Sequence, residues 1–197
     1  MRFGSLIATA SVASCLAFGP ARADVLGTFD LAWSGASFSN SAVATGQIVL
    51  DLTAMPNPVT YSYKSSMPSW VQSVTVTVSG ASSGNRTFTT ADFRGLIFDS
   101  SNTVLDFSRQ LVGQALNGGG TWGTPGGASG DFNLFASSTS PSAPSGIATV
   151  TLGTNDGNGD LMLLTSFAPA SVPEPAAIAM LAVGMFGLGL ARSRPWV

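Results

Sequence analysis

The run Asn155-Asp156-Gly157-Asn158-Gly159-Asp160 sets side-chain oxygens at alternate positions. Asp156, Asn158 and Asp160 follow a D-x-N-x-D order, and these are the ligand types that a hard cation such as calcium takes. Leu161 stands where an EF-hand loop needs Gly, and no Glu follows at the closing ligand position. A glycine-rich hairpin turn accounts for the same residues without a metal. A second set is aromatic. Tyr61 and Tyr63 lie two apart and share one face of a strand; Trp70 and Trp122 complete the set. Flat amphipathic rings stack on sugars and serve equally well as half-buried core. Trp122, set among glycines, is the ring expected to be exposed, and with Tyr61 and Tyr63 it forms the candidate sugar contact. A third set is Asp92, Asp99 and Asp106, from which a glycosidase-type carboxylate pair would have to be drawn. Aspartates near strand ends are ordinary turn residues, and no motif accompanies these.

The composition narrows the chemistry further. There is no histidine, and the single cysteine, Cys15, lies in an apolar N-terminal run. Once that run is removed, no imidazole base, thiolate nucleophile, disulfide or His/Cys metal site remains. The many serines then have no base to activate them, so neither an enzyme nor a cofactor is expected. Charged residues make up 9% of the chain. Asp24–Ser171 holds nine Asp, no Glu, one Lys and three Arg, and 4 − 9 gives −5. Such a surface lacks the basic stripe that phosphate neutralisation requires, so no nucleic-acid partner is expected. Asn85-Arg86-Thr87 fits the N-glycosylation pattern, which is short enough to arise by chance.

The elements that must position these residues are strands. Ser73–Val78 alternates Val inside with Thr outside, and Gln47–Leu52 places Ile48, Leu50 and Leu52 on one face. Further strands are expected at Val25–Trp33, Val59–Tyr63, Arg86–Phe88, Arg94–Phe98, Val104–Phe107, Phe132–Phe135, Ile147–Leu152 and Leu161–Phe167. Turn residues separate them, and no apolar repeat at helical spacing intervenes. Many short strands divided by turns predict an all-β domain, an antiparallel β-sandwich or jelly-roll-like barrel. Gly113–Gly130, with eight glycines around Trp122, reads as one long mobile loop, and Ser137–Gly146 as a second.

The two ends carry addresses. Arg2, the apolar Leu6–Phe18, the Gly19-Pro20 break and the small-x-small Ala21-Arg22-Ala23 form a signal peptide, cut by signal peptidase before Asp24. Val12-Ala13-Ser14-Cys15 also resembles a lipobox, in which Cys15 would be lipidated. The apolar Leu16-Ala17-Phe18 follows it, where a polar tether is usual. At the C-terminus, Pro173-Glu174-Pro175 precedes Ala176–Ala191, which holds no charge, and then come Arg192 and Arg194. Sixteen helical residues cover about 24 Å, short of a hydrocarbon core of roughly 30 Å, so the anchor is marginal. The paired arginines would stay cytoplasmic.

This tripartite tail is similar to the PEP-CTERM sorting signal of Gram-negative bacteria. Pro173, Glu174 and Pro175 match the recognition motif, Ala176–Ala191 the transient anchor, and Arg192 with Arg194 the basic stop. The resemblance implies an integral-membrane exosortase as processing partner, delivery to the cell surface or matrix, and association with exopolysaccharide and biofilm. The chain is therefore expected to divide into a signal peptide (1–23), a β-rich extracytoplasmic domain (24–167), a linker with the motif (168–175), a transmembrane helix (176–191) and a basic tip (192–197). The expected role is that of a non-catalytic exported surface or matrix protein. The alternative is a carbohydrate-binding module or adhesin using loop aromatics, and an Asp-based hydrolase is the third reading.

Overall fold

In Val71–Ser79 the side chains of Val74, Val76 and Val78 are buried while Thr75 and Thr77 are exposed. That period of two is the mark of a strand with one face in a core. A computed structural model describes residues 24–171, apart from 64, 125–129, 137–143 and 148. Its strands in chain order are β1 (Leu26–Ser34), β2 (Val43–Asp51), β3 (Thr60–Tyr63), β4 (Val71–Ser79), β5 (Thr87–Thr89), β6 (Phe93–Asp99), β7 (Asp131–Ala136), β8 (Ser145–Gly146), β9 (Thr151–Gly153) and β10 (Leu161–Pro169). Every pairing is antiparallel, and hydrogen bonding runs unbroken in the order β3-β6-β7-β8-β9-β10-β1-β2-β4-β5. The helices among the described residues are three single 3-10 turns.

The expected all-β antiparallel domain therefore forms as one sheet, and that sheet curls on itself. β5, at one end of the order, leads through the turn Thr90–Asp92 straight into β6 near the other end. Phe88 on β5 thus meets Phe93 on β6, ring centroids 6.4 Å apart, and Tyr61 on β3 stands edge-on to Trp70 at 5.6 Å. Register shifts at Ala32/Trp33, Val49/Leu50 and Phe93/Gly95 supply the extra twist that such curling needs. Inside lies an aromatic core centred on Phe98, whose ring contacts Trp70, Phe107, Trp122, Phe132 and Phe167 at centroid distances of 5.2–6.4 Å. Each such side chain contributes roughly 1.5–3 kcal/mol by leaving water, and the described domain has no disulfide to assist it.

Three expectations are corrected. Val104–Phe107 is not a strand, although Leu105 is buried and Phe107 packs on the core as alternation required. Its main chain is satisfied by side chains instead. The Asn57 amide bonds both polar groups of Leu105 (2.8 and 3.0 Å), and the Gln114 amide does the same for Asp106 (2.8 and 2.9 Å). Ile147–Leu152 is interrupted: β8 ends at Gly146 and β9 begins at Thr151, with Val150 in the left-handed region at φ 54°. The described part of Gly113–Gly130 is a folded lobe rather than a free loop, for reasons that concern Trp122 below.

Candidate functional site

The described residues end just past β10, which is a central strand. On one side it pairs with β1, from Leu163 opposite Ser34 to Pro169 opposite Phe29. On the other side it pairs first with β9, and then the Leu164 N–H donates to the Val150 carbonyl at 2.9 Å. Further along, the Phe167 N–H donates to Gln110 Oε1 at 2.7 Å and the Leu111 N–H to the Phe167 carbonyl at 2.8 Å. Past the strand, the Ala170 N–H still donates to the Thr28 carbonyl at 2.8 Å, and the next residue, Ser171, is exposed. The first two residues of the segment expected as linker, Ala168 and Pro169, belong to β10 and stand opposite Asp30 and Phe29 of β1. The described N-terminal end lies alongside. Val25 bonds Thr53 Oγ1 through its N–H (2.9 Å) and Leu52 through its carbonyl (2.8 Å), and Asp24 before it is exposed. The two described ends, Val25 and Ala170, lie at one pole of the sheet.

The other candidate residues are dispersed. Asp92 accepts the Thr89 N–H at 2.7 Å and its hydroxyl at 3.1 Å, closing a capping box, and it pairs with Arg86 at 3.3 Å. The main-chain bond from Thr89 is the largest influence holding its carboxyl below the ordinary aspartate range; desolvation opposes this, and the Thr89 hydroxyl and Arg86 reinforce it. Asp106 accepts the hydroxyl and N–H of Ser108 at 2.6 and 3.0 Å and pairs with Arg109 at 3.1 Å. Its pKa is lowered by those bonds, the hydroxyl first. Asp99 Oδ1 accepts the Ser101 N–H at 2.8 Å. Each carboxylate works within its own turn. Asn85 does likewise: its amide bonds both main-chain polar groups of Ala81, at 2.9 and 2.6 Å.

The Asn155–Asp160 segment forms the hairpin turn between β9 and β10. Gly157 and Gly159 donate to the Thr154 carbonyl at 3.0 and 2.9 Å, and the Asp160 N–H donates to Thr154 Oγ1 at 3.0 Å. Asp156 adopts φ 50° at an exposed position. The Asp160 carboxylate accepts the main-chain N–H of Ser82, from the turn between β4 and β5, and that bond followed by one from the Ser82 side chain lowers its pKa. Among the described residues no three of His, Cys, Asp or Glu are grouped to hold a metal ion. Sequence spacing gave no sign of this bond between turns; only the topology brings residues 78 positions apart together.

Trp122 is the principal correction. The ring expected in solvent is 0% exposed. Its indole stacks on Phe98 at 5.2 Å, meets Phe167 edge-on at 5.7 Å, and donates from Nε1 to the Asp99 carbonyl at 2.8 Å. The glycines fold the chain rather than free it. Gly119 and Gly120, at φ 87° and 79°, turn the chain back so that Ala115 bridges Thr121, and Trp122 exchanges main-chain bonds with Gly113 and Gln114. Tyr61 is half-buried with its hydroxyl 3.4 Å from the Ser66 carbonyl, and Trp70 is buried. Tyr63 lies on β3, and its side chain is outside the described residues.

The remaining candidates, Ala21, Ala23, Cys15, Pro173–Pro175, Arg192 and Arg194, also lie outside the described residues. Among the described residues no helix is long and apolar enough to cross a membrane. Fold and site together define a protein with an antiparallel β domain whose last, central strand runs directly into a C-terminal tail. Residues 171–194 match the family model of the PEP-CTERM protein-sorting motif. The match starts at Ser171, one residue after Ala170 with its bond to Thr28, and takes in Pro173, Glu174, Pro175, Arg192 and Arg194. The motif marks an exported protein whose C-terminal anchor is processed by an exosortase, a membrane enzyme, for delivery to the cell surface. No curated protein and no solved structure matches the chain.

Proposed function

We propose that the chain is a non-catalytic surface or extracellular-matrix protein associated with exopolysaccharide. The observation that carries this reading is the sorting tail rooted directly in a β domain whose candidate aspartates are each engaged in a local turn. On this reading the pole opposite Ala170 is the face turned toward the surroundings. There Asn40, Ser41, Gly80, Ser82 and Asp160 line one shallow depression of hydroxyl, amide and carboxylate groups, the groups that bond to sugar hydroxyls. The test is co-fractionation of the exported protein with the host's own exopolysaccharide. Retention by the polymer, with no release of reducing sugar on prolonged incubation, is the expected result. Full recovery in the polymer-free fraction overturns the association, and sugar release overturns the non-catalytic role.

A second reading, a carbohydrate-binding module or adhesin, loses Trp122 as its contact, since that ring is buried. The same depression and Phe38, 39% exposed on the neighbouring turn, favour it. A glycan-panel titration followed through amide shifts at Asn40 and Ser82 separates the two readings. Saturable shifts with one glycan mean a specific module, and a flat response means a matrix protein without a defined binding pocket.

A further inference from the structure

We infer that the depression lined by Asn40, Ser41, Ser82 and Asp160 is a subsite for an amine-bearing sugar, a hexosamine whose nitrogen is unacetylated and protonated. The inference rests on the reading that the domain meets exopolysaccharide, and it names the chemistry of the polymer that the site takes.

Three turns build the hollow at one end of the sheet: Ser39–Ser41 between β1 and β2, Gly80–Ser82 between β4 and β5, and Asp160 at the end of the β9–β10 turn. Its volume, about 590 Å³, is within the range of small-ligand sites. The turns are tied to one another. Asn40 Nδ2 donates to the Leu161 carbonyl at 3.0 Å, Ser41 Oγ donates to the Gly80 carbonyl at 2.9 Å, and the Ser82 N–H donates to Asp160 Oδ2. Gly80 sits at φ 67°, and a Cβ there would stand 2.5 Å from the Ser41 carbonyl oxygen, so glycine is what lets these two turns meet. A hollow fastened in this way needs little ordering when a ligand arrives.

Its character is set by where its hydrogens point. The Ser41 hydroxyl, the Ser82 N–H and an Asn40 amide hydrogen are all spent on partners within the protein. The Ser82 hydroxyl is also turned to Asp160, and these two bonds from Ser82, the main-chain one first, hold the carboxyl below the ordinary aspartate range and therefore charged. What these groups leave for a ligand is lone pairs, on Asp160, Ser41 Oγ and Ser82 Oγ. Among the described residues the ion pairs join Arg86 to Asp92 and Arg109 to Asp106, and neither involves Asp160 or its neighbour Asp156. Acceptors gathered around an unpaired carboxylate call for a cationic ligand rich in donors. A sugar ammonium supplies both; an acetamido nitrogen keeps a single donor and no charge, and a uronate brings acceptors of the wrong sign.

The test titrates the exported protein, at about pH 6 and low salt, with tetramers of glucosamine, N-acetylglucosamine and galacturonate, following the amide signals of Ser82 and Asp160. The glucosamine tetramer is expected to shift both saturably and to bind about threefold more tightly than the acetylated one, and galacturonate to leave them unmoved. Asp160→Asn keeps an oxygen for the Ser82 N–H but removes the charge, and should weaken the glucosamine tetramer about two- to fivefold, the contribution of one exposed ion pair. Asp30→Asn removes the same charge from β1, where Asp30 accepts the Gln47 amide at 2.9 Å, and should leave binding intact. Equal losses in the two variants overturn the inference. So does the absence of a glucosamine preference in the unaltered protein, a comparison that holds even if a variant fails to fold. That absence beside continued co-fractionation with exopolysaccharide removes the amine subsite and leaves the association standing; a glucosamine preference without co-fractionation upholds the subsite and removes the association.

Discussion

The indole N–H of Trp122 donates to the main-chain carbonyl of Asp99 at 2.8 Å, linking a glycine-rich lobe to the last residue of β6. Through that bond and its stack on Phe98, a segment resembling a free loop closes one side of the aromatic core. Trp122→Ala is expected to lower unfolding free energy by about 3–5 kcal/mol. Trp122→Phe should cost less, about 1–3 kcal/mol, mainly by leaving the Asp99 carbonyl without its donor. Denaturant titration of the exported protein measures both, and a negligible loss in Trp122→Phe would mean that the hydrogen bond contributes nothing.

Gly130 offers a sharper comparison. It sits at φ 71°, and a Cβ there would lie 2.5 Å from Trp122 Cδ1 and 2.6 Å from the Asp99 carbonyl oxygen. Gly113, at φ 91°, has nothing within 4 Å of its Cβ position. Gly113→Ala should cost about 1 kcal/mol from the backbone alone, and Gly130→Ala clearly more. Thermal unfolding of the two variants side by side isolates the packing contribution.

The pH response follows from composition and from three aspartates. The sequence has no histidine, the side chain that ordinarily titrates near neutrality, and melting temperature should be flat from about pH 5 to 8. Asp92, Asp106 and Asp160 have folded pKa values lowered chiefly by bonds from Thr89, Ser108 and Ser82. Below the ordinary aspartate range the unfolded chain binds more protons than the folded one, so their stabilisation is present above about pH 4 and is lost as pH falls through the lowered values. All three groups lie near the surface, so the loss should be modest and reduced by salt. Melting curves from pH 7 to 2 check this, and a transition near pH 6 would contradict it.

Calcium at millimolar concentration should leave the melting temperature unchanged. The Asp160 carboxylate already serves Ser82, and Asp156 projects from a left-handed turn position. A saturating rise with calcium, absent in Asp160→Asn, would restore a metal role to Asp156, Asn158 and Asp160.

What the sequence disclosed and what it hid divide along physical lines. Strands such as β4 were legible because one face is buried and the other is wet, which writes Val and Thr alternately into Val71–Ser79. The tail was legible because Pro173, Glu174, Pro175, Arg192 and Arg194 act by composition and order alone. Trp122 was misjudged because glycine spacing reports permitted backbone angles and not where they lead; the five left-handed glycines at 113, 119, 120, 123 and 130 fold the chain inward. Leu105 and Phe107 showed the right faces on the wrong element, since side-chain amides from Asn57 and Gln114 stand in for a neighbouring strand. The Asp160–Ser82 bond depends on the curl of the sheet, which no local pattern encodes.

β10 joins the two halves of the sheet, β3-β6-β7-β8-β9 on one side and β1-β2-β4-β5 on the other. It is also the last strand before the sorting motif. The strand that closes the sheet is thus the one the sorting motif follows, so a chain cut short before β10 would lose the centre of its fold and its address together.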